Sequence, residues 1–585
     1  MAIEFGIEKA KDGNSILVLK KDGQTFYLQS RYNPIAEAKK QAEKVEFKEK
    51  HIVIIGGGNP YYVKNLLHKI KKSSIVFYIE PYPDMMNFVI NSISSELTNL
   101  KFERFIPLVP QLPDFEEKIS SNFNLVELDK IDYAIHPIGD RYFKNEIDYT
   151  VEIINKLALQ IVYDFITRAK DGRRVQKNIL KNLDILVKST PVLKLKNLFS
   201  SIPAVLVSAG PSLDKNIIYL KDFYKRGIII STDTALRPLL SIGIEPHFVV
   251  AGDPSYFNYL HLKDIKTEKS FLVSEPSIDR RAFENFGERV FVTVFDKPLL
   301  EQIEEYIGEI GHLKTWGSVA SLAVELARFI GSNPIYFLGQ DLSYPYFLKY
   351  TRKTIYDSGW VYSRDNKDYL GKIENSIKNA SDKKEKKDIF GRPVFTSFKM
   401  ESYKEYLISL VKEEPDRFLN LTEGGIFDIK SDIAWKKLLS HKKIEKDNSK
   451  IIEKINKSFN KEERKKKLEN FLKKTAKIAE KLEKEIKLFL EKSKKKKFFT
   501  EDELYNLYNK IYENQKFAEI IENYTQEPIY KLLKAINKYK ENGDFKLLKN
   551  SFFEYYDEML SLLKEIKEDF EKALQLFNES NKKGG

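Results

Sequence analysis

Short unbroken apolar runs, each stopped by a glycine, a proline or an acid, alternate with helix-length stretches through most of this chain. Pro203-Ala-Val-Leu-Val runs into Ser208-Ala-Gly-Pro-Ser-Leu-Asp214, and Gly227-Ile-Ile-Ile runs into Ser231-Thr-Asp233. Phe248-Val-Val-Ala runs into Gly252-Asp253-Pro254. Ser270–Glu275, Arg289–Phe295 and Pro334–Asp341 repeat the pattern. Such runs read as buried strands of βαβ units in a parallel sheet. Gly317 and Ser318 open a strongly apolar helix that extends through Ile330 and is closed by Gly331.

The flanks read differently. Residues 15–20 and 25–29 are apolar runs around Asp22-Gly23, a hairpin signal. His51-Ile-Val-Ile-Ile before Gly56-Gly57-Gly58, then Ile75-Val-Phe-Tyr-Ile before Glu80, indicate a second α/β block. Helices are expected from Glu146 to Leu198. Beyond Ile433, Leu468, Leu472, Thr475, Ala479, Leu482, Ile486 and Phe489 recur at spacings of three and four, the seam of long packed helices. Thr500-Glu-Asp-Glu503 is a capping box, and Gly584-Gly585 reads as a frayed end. The expected class is α/β, with a Rossmann-like central domain, an N-terminal α/β domain and a C-terminal all-helical domain. The expected divisions are 1–145, a helical linker 146–200, 201–430 and 431–585.

Composition narrows the chemistry. No cysteine is present among 585 residues, which excludes disulfides, thiolate catalysis and Cys-bound zinc and favours a cytoplasmic protein. The N-terminal residues lack a secretion-signal pattern, and no apolar run reaches the roughly 18–20 residues of a membrane span. A net charge of +13 would suit an acidic ligand, but the lysines are interleaved with acids. A solvated basic surface, including Lys494 and the three lysines after it, is therefore expected rather than a nucleic-acid site.

Candidate chemistry gathers at the strand ends, where ligands bind in open parallel sheets. Gly210 would let the backbone approach a phosphate, with Ser212 as the N-cap of the next helix. Asp233 and Asp253 end neighbouring strands and read either as functional carboxylates or as helix N-caps. The Gly56-Gly57-Gly58 loop followed by Glu80 has the order of dinucleotide and S-adenosylmethionine sites. It reads equally as a loop that packs a helix on a sheet, and Asn59-Pro60 departs from Gly-x-Gly-x-x-Gly. His247 reads as structural, whereas His312 is open between structural and functional roles.

The central block resembles the motility-associated-factor (Maf) flagellin glycosyltransferases. The resemblance rests on Val207–Asp214, Thr232–Leu239, Gly243–Pro254, Trp316–Ala320, Gly339-Gln-Asp-Leu-Ser343 and Thr422-Glu-Gly-Gly425, in order over more than two hundred residues. Weaker matches are Ser30–Pro34 and the Gly56 and Glu80 strands. The helical tail matches no family motif. The resemblance implies transfer of a nonulosonic acid, of pseudaminic or legionaminic type, from a CMP-activated donor to Ser/Thr hydroxyls of flagellin. The central fold is also similar to bacterial sialyltransferases, which need no metal. Carried over, Ser208, Gly210, Pro211, Ser212 and Leu213 would cradle the cytidine phosphate. Gly317, Ser318 and Ser321 would supply backbone and hydroxyl donors. Gly339, Gln340 and Asp341 would close the pocket near the ribose or sugar. Tyr344, Tyr346 and Tyr350 would donate to the departing phosphate, or else pack as a covering segment. Asp233 would contact substrate, and Thr234, Gly252, Pro254, Thr422 and Gly424 lie in the same motifs.

The chain departs from the family at one place. The glycine-rich stretch ending in His after Gly-Gln-Asp-Leu is replaced by Tyr344-Pro-Tyr-Phe-Leu-Lys-Tyr-Thr-Arg352, and only His441 follows His312. The expected base is therefore Asp253, with Glu423 and His261 behind it. No cofactor is required by this reading. A divalent ion held by Asp233, Asp253 and Asp341 is allowed but not favoured, since no Asp-x-Asp pair occurs among these strand ends. Two rival readings stand: an ATP-dependent 6-hydroxymethylpterin pyrophosphokinase, which shares the Gly-Pro-Ser-Leu and Gly-x-Asp strand ends, and a flagellin-binding factor without activity.

Overall fold

The computed structural model describes residues 3–582, apart from 22, 73, 101–103, 124–130, 296, 356–376, 381, 430–433, 445–446, 458–461 and 495–499. Asp22 of the expected turn, Ile433, residues 495–497 of the lysine cluster and Gly584-Gly585 thus lie outside the described residues. The chain divides into two compact units, Met1–Lys170 with Gln526–Tyr555, and Asp171–Thr525 with Tyr556–Gly585.

In the first unit, β1 (Glu4–Lys9), β2 (Ser15–Lys21) and β3 (Gln24–Tyr27) form an antiparallel meander. The expected hairpin is its β2–β3 half. β1 went unread because none of its six residues is buried and it carries no apolar run. A parallel sheet follows in the order β6-β5-β4-β7, from β4 (His51–Ile55), β5 (Ile75–Ile79), β6 (Arg104–Leu108) and β7 (Ile131–Ile135). β4 and β5 are buried throughout and read as continuous apolar runs, the signature of strands covered on both faces. β6 and β7 carry charged and half-exposed positions, which hid them from the apolar pattern.

The glycine loop of this unit is closed by the protein itself. Glu80, fully buried, accepts hydrogen bonds from Gly58 N at 3.1 Å and from the Tyr78 hydroxyl. A Cβ on Gly56 would lie 2.2 Å from a Glu80 oxygen. The acid is thus turned into the glycine loop and bonded to it. Burial pushes its carboxyl up to about 8, with the two hydrogen bonds pulling it back. The buried His136 faces the loop through Asn59 Nδ2 at 3.2 Å, and burial pushes it down to about 4.

The second unit is built on eight parallel strands in the order β17-β14-β9-β10-β11-β12-β13-β8. They are β8 (Thr190–Pro191), β9 (Ala204–Val207), β10 (Ile228–Thr232), β11 (Phe248–Ala251), β12 (Phe271–Ser274), β13 (Val290–Val292), β14 (Ile335–Leu338) and β17 (Phe418–Asn420). β15 (Lys383–Lys387) and β16 (Pro393–Ser397) form a separate antiparallel ribbon. Side chains alternate between the sheet's faces. Leu206, Ile230, Val250 and Val273 join one core with Leu322, Ala323 and Leu326 of the helix Val319–Phe329. Val205, Val207 and Ile229 join the other with Leu213, Phe223 and Leu239. Each such side chain contributes about 1.5–3 kcal/mol by burial. The expected strands are present but shorter, because their polar ends belong to loops.

The expected helical C-terminal region is present as Glu462–Lys494, Glu501–Glu513, Gln515–Asn542 and Phe545–Lys582. Leu468, Leu472, Thr475, Ala479, Leu482 and Ile486 are buried along its seam. Thr500 and Glu503 form the reciprocal capping box. None of the described helices is long and apolar enough to cross a membrane.

Glu80 gives a test with a fixed sign. Its raised folded-state pKa favours the protonated form, so its contribution is complete below about 4.5 and is lost as pH rises through about 8. The melting-temperature difference between Glu80→Gln and the native chain should therefore shift in favour of the variant between pH 5 and pH 9. A difference that does not change with pH would show that Glu80 is not a buried neutral acid.

Candidate active site at the carboxyl edge of the central sheet

β9 and β14 are neighbours, yet β9 leads on to β10 at one side and β14 leads on to β17 at the other. A crevice opens at such a reversal, at the carboxyl ends of the strands. The turns at residues 208–212 and 339–341 meet there. Asp341, 2% exposed, accepts from Ser212 N at 3.2 and 3.3 Å and from Ser212 Oγ at 2.7 Å. Burial pushes its carboxyl up to about 6, against the Ser212 bonds and the Lys215 charge. A Cβ on Gly210 would lie 2.1 Å from Asp341 Oδ2, so only glycine lets the two turns approach. Gly424 faces the other oxygen, where a Cβ would lie at 2.9 Å.

This arrangement differs from a phosphate cradle. Ser208 N donates to Leu338 O, Gly210 N to Gly339 O and Leu213 N to Gly210 O, at 2.8–3.0 Å. With Ser212 N on Asp341, these amides all act within the protein. Ser212 makes no cap bond, and the helix Leu213–Asn216 has four residues, too few for a helix-end anion site. Pro211 and Leu213 are buried under the turn, and the helix expected after Ser212 is a single short turn.

A relay of hydrogen bonds extends from this point to β17. Ser208 Oγ donates to Gln340 Oε1 at 2.6 Å, Gln340 N to Thr422 Oγ1 at 3.0 Å and Thr422 N to Asn420 Oδ1 at 2.9 Å. Lys215 Nζ donates to the carbonyl of Glu423 at 2.8 Å. Glu423 itself is half-buried.

The ends of β10 and β11 carry a second group. Asp233 is the first residue of the helix Asp233–Ser241, with Thr232 as its N-cap. Its Oδ1 accepts from Thr234 N at 2.6 Å and Thr234 Oγ1 at 3.0 Å. Burial, and secondarily the nearby Asp253 charge, push it up to about 7. Asp253 is exposed, and its Oδ1 accepts from Ser255 N at 2.8 Å, so Ser255 rather than Asp253 caps the helix Tyr256–Leu262. The buried His261 is pushed down to about 4 by burial and Arg237, opposed by Asp253. Asp253 therefore acts electrostatically on both Asp233 and His261. Gly252 packs toward Phe295 and Leu322, which brings the beginning of the helix Val319–Phe329 to this edge.

The remaining expected residues fall around these groups. Ser318 Oγ accepts from Ser321 N at 3.2 Å, and Ser321 Oγ donates to Ser318 O at 2.6 Å. Both hydroxyls thus hold the helix cap, beside Gly317 in its left-handed turn (φ +72°). Tyr344 is half-buried with its amide on Phe395 O, Tyr346 is exposed beside Arg392, and Tyr350 is exposed. Thr351 donates through its amide to Ala209 O at 2.9 Å and through its hydroxyl to Asp214, laying this segment over the 209–214 turn. Asp233, Asp253 and Asp341 do not converge: among the described residues no group of three His, Cys, Asp or Glu side chains is placed to hold a metal. His247 is structural, accepting from Ile229 N at 3.1 Å and stacked on Tyr224. His312 pairs with Glu304 at 2.5 Å, and His441 pairs with the Tyr336 hydroxyl at 2.9 Å.

A solved structure described as a MAf glycosyltransferase from Magnetospirillum magneticum AMB-1 aligns with 98% of this chain and 91% of its own, at a TM-score of 0.55 and 14% identity. The fold is that of a Maf glycosyltransferase. A family model described as 6-hydroxymethylpterin diphosphokinase MptE-like matches residues 177–346, the stretch that carries β8 to β14. An uncharacterized protein of Treponema pallidum (strain Nichols) is 29% identical over 118 residues, 20% of this chain. The chain spans 55% of that relative's length.

Sequence reasoning passed over three residues of this Maf-type edge. Asn178 Nδ2 bridges Pro254 O at 3.0 Å and Ser277 O at 2.8 Å, fastening the Asp253 loop to the loop after β12. It sits in the last turn of the helix Lys144–Lys181, where no local pattern marks it. Asn420 ends β17 and orients Thr422. Lys215, three residues after Ser212, had the most legible signal: a cation one turn beyond a strand-end turn. The close packing predicts coupling. Gly210→Ala should cost about 1–3 kcal/mol by overpacking. In a urea-denaturation cycle with Asp341→Ala, the double variant should lose less than the sum of the single losses, with about 0.5–3 kcal/mol of coupling. Strict additivity would mean that Asp341 does not occupy the turn.

Proposed function

We propose that this chain is a glycosyltransferase that moves a nonulosonic acid from a CMP-activated donor to Ser/Thr hydroxyls of flagellin, in the cytoplasm and without a metal cofactor. The observation that carries the reading is the Maf-type fold along 98% of the chain, with the motif residues drawn to one edge of its central sheet. Donor and acceptor identities rest on the motif resemblance. In this reading the nucleotide enters at the β9–β14 reversal, beside Ser208, Gln340 and Lys215. The sugar reaches along the edge toward β11. Asp341 acts through Ser212 and the Gly210 turn as a positioning residue rather than as a direct ligand.

Asp253 accepts the acceptor's proton. Of the three strand-end acids Asp233, Asp253 and Asp341, it is the one exposed to an incoming hydroxyl. Transfer balances as follows: the acceptor oxygen bonds to the anomeric carbon, the bond from that carbon to the CMP phosphate breaks, and the hydroxyl proton passes to Asp253. In this reading Tyr344 and the start of the helix Val319–Phe329 would receive the charge that develops on the phosphate.

The match to an MptE-like pterin diphosphokinase favours a second reading, pyrophosphate transfer from ATP. Ligand-induced stabilisation separates the two. A nucleotide at 100 times its Kd stabilises the fold by about 2.7 kcal/mol. CMP should raise the melting temperature and ATP with magnesium should not; the reverse pattern would favour the kinase. Asp253→Asn should keep the CMP-induced rise while flagellin incubated with CMP-nonulosonic acid gains no mass. Normal mass gain by this variant would remove Asp253 as the base.

A further inference from the structure

Three residues beyond Asp253, the carboxyl edge carries an aromatic platform with no role in the chemistry so far described. Tyr256 is 48% and Phe257 69% exposed, large values for rings on a folded surface. Tyr256 packs on Phe257 at 6.4 Å and on Tyr259 at 5.8 Å between centroids. Arg281 lies over the rings of Tyr256 at 4.8 Å and Tyr259 at 4.5 Å, fixing the platform from below. Its guanidinium is paired with Asp279 at 2.6 Å, so the rings and hydroxyls stand beside the exposed carboxylate of Asp253. Aromatic side chains with a stacked arginine are the composition of interface hot spots.

Charge is divided along this edge. The β14 side carries Lys215, which donates to the Glu423 carbonyl, and Lys399, beside Tyr344 and Tyr403. The β11–β12 side, three strands or more from β14 and thus about 14 Å or more away at roughly 4.8 Å per strand, carries the rings. An anionic nucleotide fits the first side. The second fits a polypeptide that lays its backbone on the rings and brings a hydroxyl to Asp253.

We infer that Tyr256, Phe257 and Tyr259 are the docking platform for the acceptor polypeptide, gripping the residues that flank the reacting Ser or Thr. The inference rests on the proposed transferase reading, in which the acceptor hydroxyl must come within hydrogen-bond reach of Asp253. The backbone on either side of that hydroxyl then falls on the helix that Asp253 precedes. Hydrogen bonds from Asn258 Nδ2 to Asp253 O at 2.7 Å, and from Asn178 to the neighbouring Pro254 carbonyl, keep acid and platform in fixed register.

The test is the affinity of the full chain for purified flagellin of the same organism, compared with that of a Tyr256→Ser/Phe257→Ser variant whose circular dichroism and melting temperature match the native chain. The Kd should rise at least tenfold. A Kd within twofold of the native value, or a native chain that does not bind flagellin, overturns the inference. A variant that loses affinity for purified polysaccharide but keeps it for flagellin overturns it as well, since the occupant is then a sugar. Binding is read without turnover, so the two failures stay distinct. Flagellin that binds through the platform but gains no mass with the CMP-activated sugar sinks the transferase reading alone. Undiminished affinity with normal mass gain sinks the platform alone.

Discussion

One buried carboxylate organises the carboxyl edge of the central sheet. Asp341 lies at the point where the central sheet reverses its winding, and it holds the turn after β9 against the turn after β14. Its bonds to Ser212 replace those that water would have made, which a buried acid requires. They also consume the amide that a glycine-turn motif usually presents to a phosphate. The site is thus rigid where the motif suggested that it would be receptive. Farther out along the same edge lie the Ser208–Gln340–Thr422 relay, Lys215 and the start of the helix Val319–Phe329, the groups that the proposed function gives to a ligand.

The same solution appears twice. In the N-terminal sheet Glu80 reaches back to Gly58, just as Asp341 reaches across to Ser212. In both places a glycine stands where a side chain would collide with the acid, and in both the acid is pushed toward its neutral form by burial. The glycine and acid that look like two halves of a ligand site are in fact partners of each other.

Much of the architecture was legible because parallel strands covered on both faces leave continuous apolar runs, as in Ile52–Ile55, Ile228–Ile230 and Phe248–Ala251. β1, β6, β7 and β15 were not, since their stability comes from pairing rather than from a run of buried side chains; β15 is all lysine and glutamate. The site was readable as residue types at strand ends. What the sequence could not carry was direction: that Asp341 faces inward, that the Ser318 and Ser321 hydroxyls close a cap, or that Asn178, at the end of its helix and some 75 residues before Asp253, fastens its loop. Those facts arise from side-chain partners distant in sequence, to which local periodicity is blind.

The division of the chain has a further consequence for how it is made. Residues 526–555 belong to the compact unit begun by residues 1–170, while the segments on either side of them belong to the other. Phe165 meets Tyr530 within that first unit at 5.1 Å. Residues 1–170 therefore lack a piece of their own body until more than 350 further residues have been synthesised. Maturation of the N-terminal unit must wait for the C-terminal helices, and a chain halted before residue 526 would expose an unfinished surface rather than a completed domain.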